Sequence, residues 1–138
     1  MNHIINNLWL GSQHDADVLV HTNPDSITAI LNLRGSDCYK PPGRDQAAEH
    51  PNVAYKWIPI ADNGAVSPEH LLDALTWLQE QTTAGKRILI HCYVGVSRSP
   101  AILAALMVRS GISRNMGEAK ATIASHRPEG RNLRRTRR

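Results

Sequence analysis

The residues best equipped for chemistry lie in one short stretch, ILIHCYVGVSRSPA at 88–101. An apolar run ends on His91 and Cys92, a loop centred on Gly95 follows, and Arg98 and Ser99 open an Ala- and Leu-rich run. The pattern predicts a strand over 87–91, a loop over 92–98 and a mostly apolar helix over 98–110. Successive backbone amides of Tyr93, Val94, Gly95, Val96, Ser97 and Arg98 can curl into a nest aimed at one centre. The positive end of the helix behind adds to that field, and together they bind an anion, phosphate above all. Gly95 allows a backbone turn that a side chain would obstruct. Arg98, in the first helical turn, can fold back and grip two phosphate oxygens in its planar fork. A cysteine facing such a nest has its thiolate stabilised, which makes Cys92 a nucleophile on the floor of a phosphate cradle. An inert buried thiol would explain neither the glycine nor the arginine.

These residues need a frame, and the rest of the chain reads as one. HIINNLWLGS predicts a small hairpin with Asn6-Asn7 at its turn, and DADVLVHT a short helix. ITAILNL (27–33) is a continuous apolar run of strand length, as expected where both faces are covered. Residues 36–52, with three prolines and several charges, read as a loop. VAYKWIPI (53–60) predicts a strand, and Asp62-Asn63-Gly64 a turn. Ser67 then caps a helix with Pro68 in its first turn, a stripe of Leu71, Leu72, Leu75 and Leu78, and Gly85 at its end. Gly111 closes the helix that begins at Arg98. Ser113 is placed to cap a last helix running to His126 ahead of Pro128. Strands alternating with helices imply an α/β fold, a mostly parallel central sheet flanked by helices. In such sheets functional loops sit at the carboxyl ends of strands, where 92–98 falls.

Composition bounds the possibilities. The protein has 138 residues, 41% of them hydrophobic, with no Phe and three Trp; a single domain over 1–130 is the simplest expectation. Met1-Asn2-His3 opens without a basic segment or long apolar run, so no leader peptide is expected. No stretch approaches the ~20 apolar residues of a membrane span. A cytoplasmic monomer with no membrane contact is the expectation. Two cysteines, Cys38 and Cys92, match no secreted framework or zinc site, and seven scattered His show no ligand spacing, so no metal is expected. Arg131, Arg134, Arg135, Arg137 and Arg138 crowd the last eight residues, and without them the net charge of +4 falls close to neutrality. Residues 131–138 thus read as a basic, disordered tail that an anionic partner could engage.

HCYVGVSRS resembles the His-Cys-x5-Arg-Ser/Thr signature of the protein tyrosine phosphatase superfamily, and GVSRSPA is most similar to its dual-specificity branch. NLWLGS resembles the amino-terminal hairpin of those enzymes, SITAILNLRG their central strand and HRPEGRN their Arg-Pro…Asn segment. The likeness covers roughly residues 4–132. It implies the cysteine phosphatase fold, with the phosphate-binding loop between a strand and a helix. It also implies a two-step hydrolysis of phosphomonoesters through a phosphocysteine, without metal or organic cofactor. Cys92 attacks phosphorus, while Arg98 and the amides of 93–98 hold the phosphate oxygens. The family takes its general acid from an Asp some thirty residues before the cysteine, which points to Asp62; Asp73, inside a helix, and Asp45, in a remote loop, fit less well. Ser99 corresponds to a hydroxyl that assists thiolate departure in the second step. His91 corresponds to the neighbour that supports the loop from behind.

The resemblance leaves the substrate open. A chain this short is expected to lack the loops that deepen a phosphotyrosine pocket, so phosphotyrosine and phosphoserine/threonine of proteins are the expected substrates. Inositol polyphosphates are the alternative suggested by LNLRG, which is similar to relatives acting on them and puts Arg34 near the pocket mouth. RNA 5'-phosphate, with the Arg-rich tail as support, is another. A non-catalytic phosphate-binding module would need neither nucleophile nor acid. Cys38 reads as an ordinary loop thiol, with an oxidative disulfide to Cys92 as the alternative seen in some relatives. Dual-specificity relatives usually continue into one more helix where this chain ends in RRTRR; either that helix is absent or the chain is shortened, and in either case an apolar patch open to a partner is the expectation.

Overall fold

The hairpin forms where the Asn pair predicts it. Strands β1 (Asn2–Ile5) and β2 (Leu8–Gly11) pair antiparallel, and Asn6 turns the chain at φ 50, a left-handed conformation that Asn accepts more readily than most residues. The computed structural model describes residues 1–35, 52–60, 66–92 and 98–127. The turn expected at Asp62-Asn63-Gly64, the loop over 93–97, most of the loop at 36–52 and the tail at 131–138 therefore lie outside the described residues.

Helix α1 (Gln13–Val18) starts two residues earlier than expected. Ser12 caps it, accepting from the Asp15 amide, while the Asp15 carboxylate accepts from the Ser12 amide at 2.8 Å. This reciprocal capping box fixes the start of the helix directly after β2. Gly11 makes the approach possible: a Cβ there would stand 2.7 Å from Asp15 Oδ2.

Strand β3 (Ala29–Asn32) is buried throughout, and β4 (Ala54–Trp57) lies parallel beside it. Helix α2 (Pro68–Thr83) has Ser67 as its cap, the Ser67 hydroxyl accepting from the His70 amide at 3.1 Å, and it gives way to Gly85 at φ 76. Its buried face is Ala74, Leu75 and Leu78. Leu72, expected in the same stripe, is 56% exposed. It stands about 100° around the helix from Leu71 and so points away from the sheet.

Strand β5 (Ile88–His91) leads toward α3 (Arg98–Arg109), and α4 (Met116–Ser125) follows. The cap of α4 is Asn115, whose side chain accepts from the Glu118 amide at 2.8 Å. Ser113 does not cap it. The Ser113 amide donates to the Met107 carbonyl at 3.1 Å, as Ile112 does at 2.9 Å, so Ser113 still belongs to the closing turn of α3 around Gly111.

The sheet order is β1-β2-β5-β3-β4, and β2, β5, β3 and β4 run parallel. The observed architecture is thus the expected mostly parallel sheet flanked by helices. Alternate residues of the interior strands go to opposite faces. Leu8, Leu10, Ala29, Leu31, Ile88 and Ile90 face α2, α3 and α4, packing with Leu78, Ile102, Leu103 and Met107. Trp9, Ile30 and Leu89 face the other way, onto Ala16 of α1. Each fully buried aliphatic side chain contributes on the order of 1.5–3 kcal/mol by leaving water. No helix among the described residues is long and apolar enough to cross a membrane.

Candidate active site

Four strands end in register at one edge: Gly11 and Asn32 both pair with His91, and Asn32 pairs with Trp57. Cys92 follows immediately, on the axis of β5, and the Leu33 amide donates to the His91 carbonyl at 2.8 Å to hold the last turn of that ladder. Cys92 is 1% exposed and packs with the core on the α2–α3–α4 face. His91 alternates to the α1 face, is fully buried, and sets Nδ1 3.4 Å from the Cys92 carbonyl oxygen.

Arg98 is the first residue of α3 and is 2% exposed. Its Nη1 donates to the Ile60 carbonyl at 3.2 Å. Ile60 is placed by its own amide, which donates to the Leu33 carbonyl at 3.3 Å beyond the end of β3. A guanidinium is thereby brought from α3 to the segment beyond β4, close to the edge where Cys92 emerges. Ser99 is fully buried beside it, and its Oγ has no hydrogen-bond partner among the described residues.

Cys92, Arg98, Ser99 and His91 are thus described and gathered at the carboxyl edge of the sheet. Asp62, Tyr93, Val94, Gly95, Val96, Ser97, Cys38 and Asp45 lie outside the described residues. Asp73 is in α2 and pairs with Lys56 of β4 at 3.2 Å, half exposed. Among the described residues no group of three or more His, Cys, Asp or Glu could hold a metal ion.

Sequence reasoning missed a set of polar residues on the α1 face of the same edge. Asn32 is fully buried; its Oδ1 accepts from the Arg34 amide at 2.9 Å and its Nδ2 donates to the Tyr55 hydroxyl at 3.0 Å. Arg34, expected near the pocket mouth, is 3% exposed, and its Nη1 donates to Gln13 Oε1 at 2.9 Å. The Trp57 indole donates to the Arg34 carbonyl. The available signal was Asn32 itself, a polar residue inside an otherwise apolar strand that must be hydrogen-bonded if buried.

A mostly parallel sheet with Cys92 directly after β5 and Arg98 opening α3 at its carboxyl edge is the frame of the cysteine phosphatase fold. The chain belongs to the dual-specificity phosphatase catalytic-domain family, whose model matches residues 8–132. Dual specificity protein phosphatase 5 of Rattus norvegicus is 31% identical over 104 residues, 75% of this chain and 25% of that protein. Dual specificity protein phosphatase 2 of Mus musculus is 33% identical over 104 residues, 75% of this chain and 30% of that protein. The matches thus span about a quarter to a third of these relatives' lengths. Among solved structures, DUSP15 superposes with a TM-score of 0.76 at 25% identity, over 93% of this chain and 76% of that one. Tk-PTP in its active form gives 0.73 at 26% identity, over 92% and 84%.

Proposed function

We propose that this protein hydrolyses phosphomonoesters of proteins, phosphotyrosine and phosphoserine/threonine alike, through a phosphocysteine. The observation that carries the reading is that Cys92 and Arg98 are both buried where β5 gives way to α3. The Cys92 thiolate attacks phosphorus, forming the S–P bond as the P–O bond to the alcohol or phenol breaks. Asp62 gives its proton to the leaving oxygen. Arg98 and the amides of 93–98 hold the remaining phosphate oxygens as charge redistributes. Water then attacks phosphorus, Asp62 takes its proton, and the S–P bond breaks to release inorganic phosphate. Ser99 donates to the departing thiolate, and His91 supports Cys92 from behind. No metal or organic cofactor enters. Residues 1–130 act as the catalytic domain, and 131–138 are a basic appendage for an anionic partner. The protein works as a cytoplasmic monomer.

The test is hydrolysis of an aryl phosphate from pH 5 to 8 in EDTA by wild type, Cys92→Ser, Arg98→Ala and Asp62→Ala. The expected outcome is metal-free turnover, abolished by the first two substitutions, with Asp62→Ala flattening the basic limb of the profile. Tight vanadate binding without turnover by wild type would instead make it a phosphate-binding module.

A further inference from the structure

Arg34 is a buried cation that the chemistry above does not use, and its geometry suggests a task. It lies two residues past the end of β3, and Gln13 two residues past the end of β2. Those strands flank β5 on either side, and their last residues both pair with His91. Strands two apart in a sheet are roughly 9–10 Å from each other, a distance only a long side chain can bridge. Arg34 does so, its Nη1 meeting Gln13 Oε1 at 2.9 Å across the carboxyl end of β5. Both ends of this strut are fixed. Gln13 Nε2 donates to Asp17 Oδ1 at 3.1 Å, which orients the amide with its oxygen toward Arg34. At the other end Asn32 accepts from the Arg34 amide and Trp57 donates to the Arg34 carbonyl. A guanidinium taken out of water is costly unless its geometry is good, and an apolar side chain would fill the site more cheaply.

Resting on the phosphocysteine reading, we propose that Arg34, locked to Gln13, is a positioning residue for Cys92. The strut clamps the point where β5 delivers the nucleophile and keeps the sulfur in line with phosphorus. A nucleophile displaced by about 1 Å can lose on the order of 100-fold in rate.

The experiment compares wild type with Arg34→Met, Gln13→Met, the double variant and Arg34→Lys. It reads turnover of 4-nitrophenyl phosphate, thermal unfolding, and the rate at which iodoacetamide alkylates Cys92 at pH 7. Arg34→Met should lower kcat roughly 10- to 100-fold, with KM changing far less and the protein remaining folded. Gln13→Met should lower kcat in the same direction, and the double variant should be no worse than Arg34→Met, because the two residues act as one unit. Alkylation of Cys92 should change in the same order as kcat. Lysine keeps the charge but lacks the fork, so Arg34→Lys should resemble Arg34→Met. Wild-type kcat in both Arg34→Met and Gln13→Met, additive losses in the double variant, or full activity in Arg34→Lys would each overturn the strut. If Arg34→Met does not fold, Gln13→Met and Arg34→Lys decide by the same criteria. If wild type itself shows no turnover, the phosphatase reading fails, and the strut is judged on alkylation alone: equal rates in all variants overturn it.

Discussion

Arg98 Nη1 donates to the carbonyl of Ile60 at 3.2 Å, joining the first residue of α3 to the segment two residues ahead of Asp62. The proposed phosphate grip and the chain that leads to the proposed acid are therefore mechanically linked, although 38 residues separate Arg98 from Ile60 in sequence. An arginine can make this bond and still present other N–H groups to a phosphate, because its donors diverge from one rigid plane.

Replacing that fork with a point charge should expose the difference. Arg98→Lys is expected to lower kcat/KM by roughly 100- to 1,000-fold, the scale of losing a preorganised donor to transition-state charge. Steady-state kinetics on an aryl phosphate, with thermal unfolding as the control for folding, measures it. Activity within a few-fold of wild type would mean that positive charge alone suffices.

Ser99 offers a separation of stability from chemistry. Its buried hydroxyl lacks a partner among the described residues, and an unmet buried hydroxyl costs roughly 1–3 kcal/mol. Ser99→Ala should therefore leave Tm unchanged or raise it. Turnover should nevertheless fall, with a burst of released alcohol as the phosphoenzyme accumulates. Rapid-quench kinetics checks this; an unchanged steady-state rate, or a Tm lower by several degrees, would contradict it.

Asp15 gives the fold a specific acid sensitivity. Burial by itself would raise its pKa, but the Ser12 amide, the Met1 ammonium and the Ser12 hydroxyl together hold it below its ordinary value. A carboxyl depressed in the folded state contributes its stability in full above its unfolded pKa, about 3.9. That contribution is lost as pH falls through the folded value. Asp15→Asn should therefore be less stable than wild type by about 1 kcal/mol at pH 7, and the gap should be narrower at pH 2. Urea unfolding at the two pH values reads the difference; a gap of equal size at both would show that the charge is not responsible.

Short-range chemistry is the part of this protein that can be read directly from its residues. The strand-Cys-loop-Arg-helix unit is legible because Cys92, Gly95 and Arg98 lie within seven residues of each other. The Asn6 turn, the Ser67 cap and the glycines at 85 and 111 are legible for the same reason: each is a bond or a dihedral set within about four residues. Local reading failed where two local signals competed. Ser113 and Asn115 are both capable caps, and only the packing of the α3 terminus assigned the Ser113 amide to Met107 and left the cap to Asn115. Leu72 belongs to a leucine-rich run, and the sheet selected which face of that run to bury. Tertiary structure alone decided the strand order that puts β5 between β2 and β3. From that order follow the Arg98–Ile60 and Arg34–Gln13 bonds, whose partners are 38 and 21 residues apart. Such contacts exist only once hydrophobic burial has closed the intervening chain, so no spacing in the sequence could announce them.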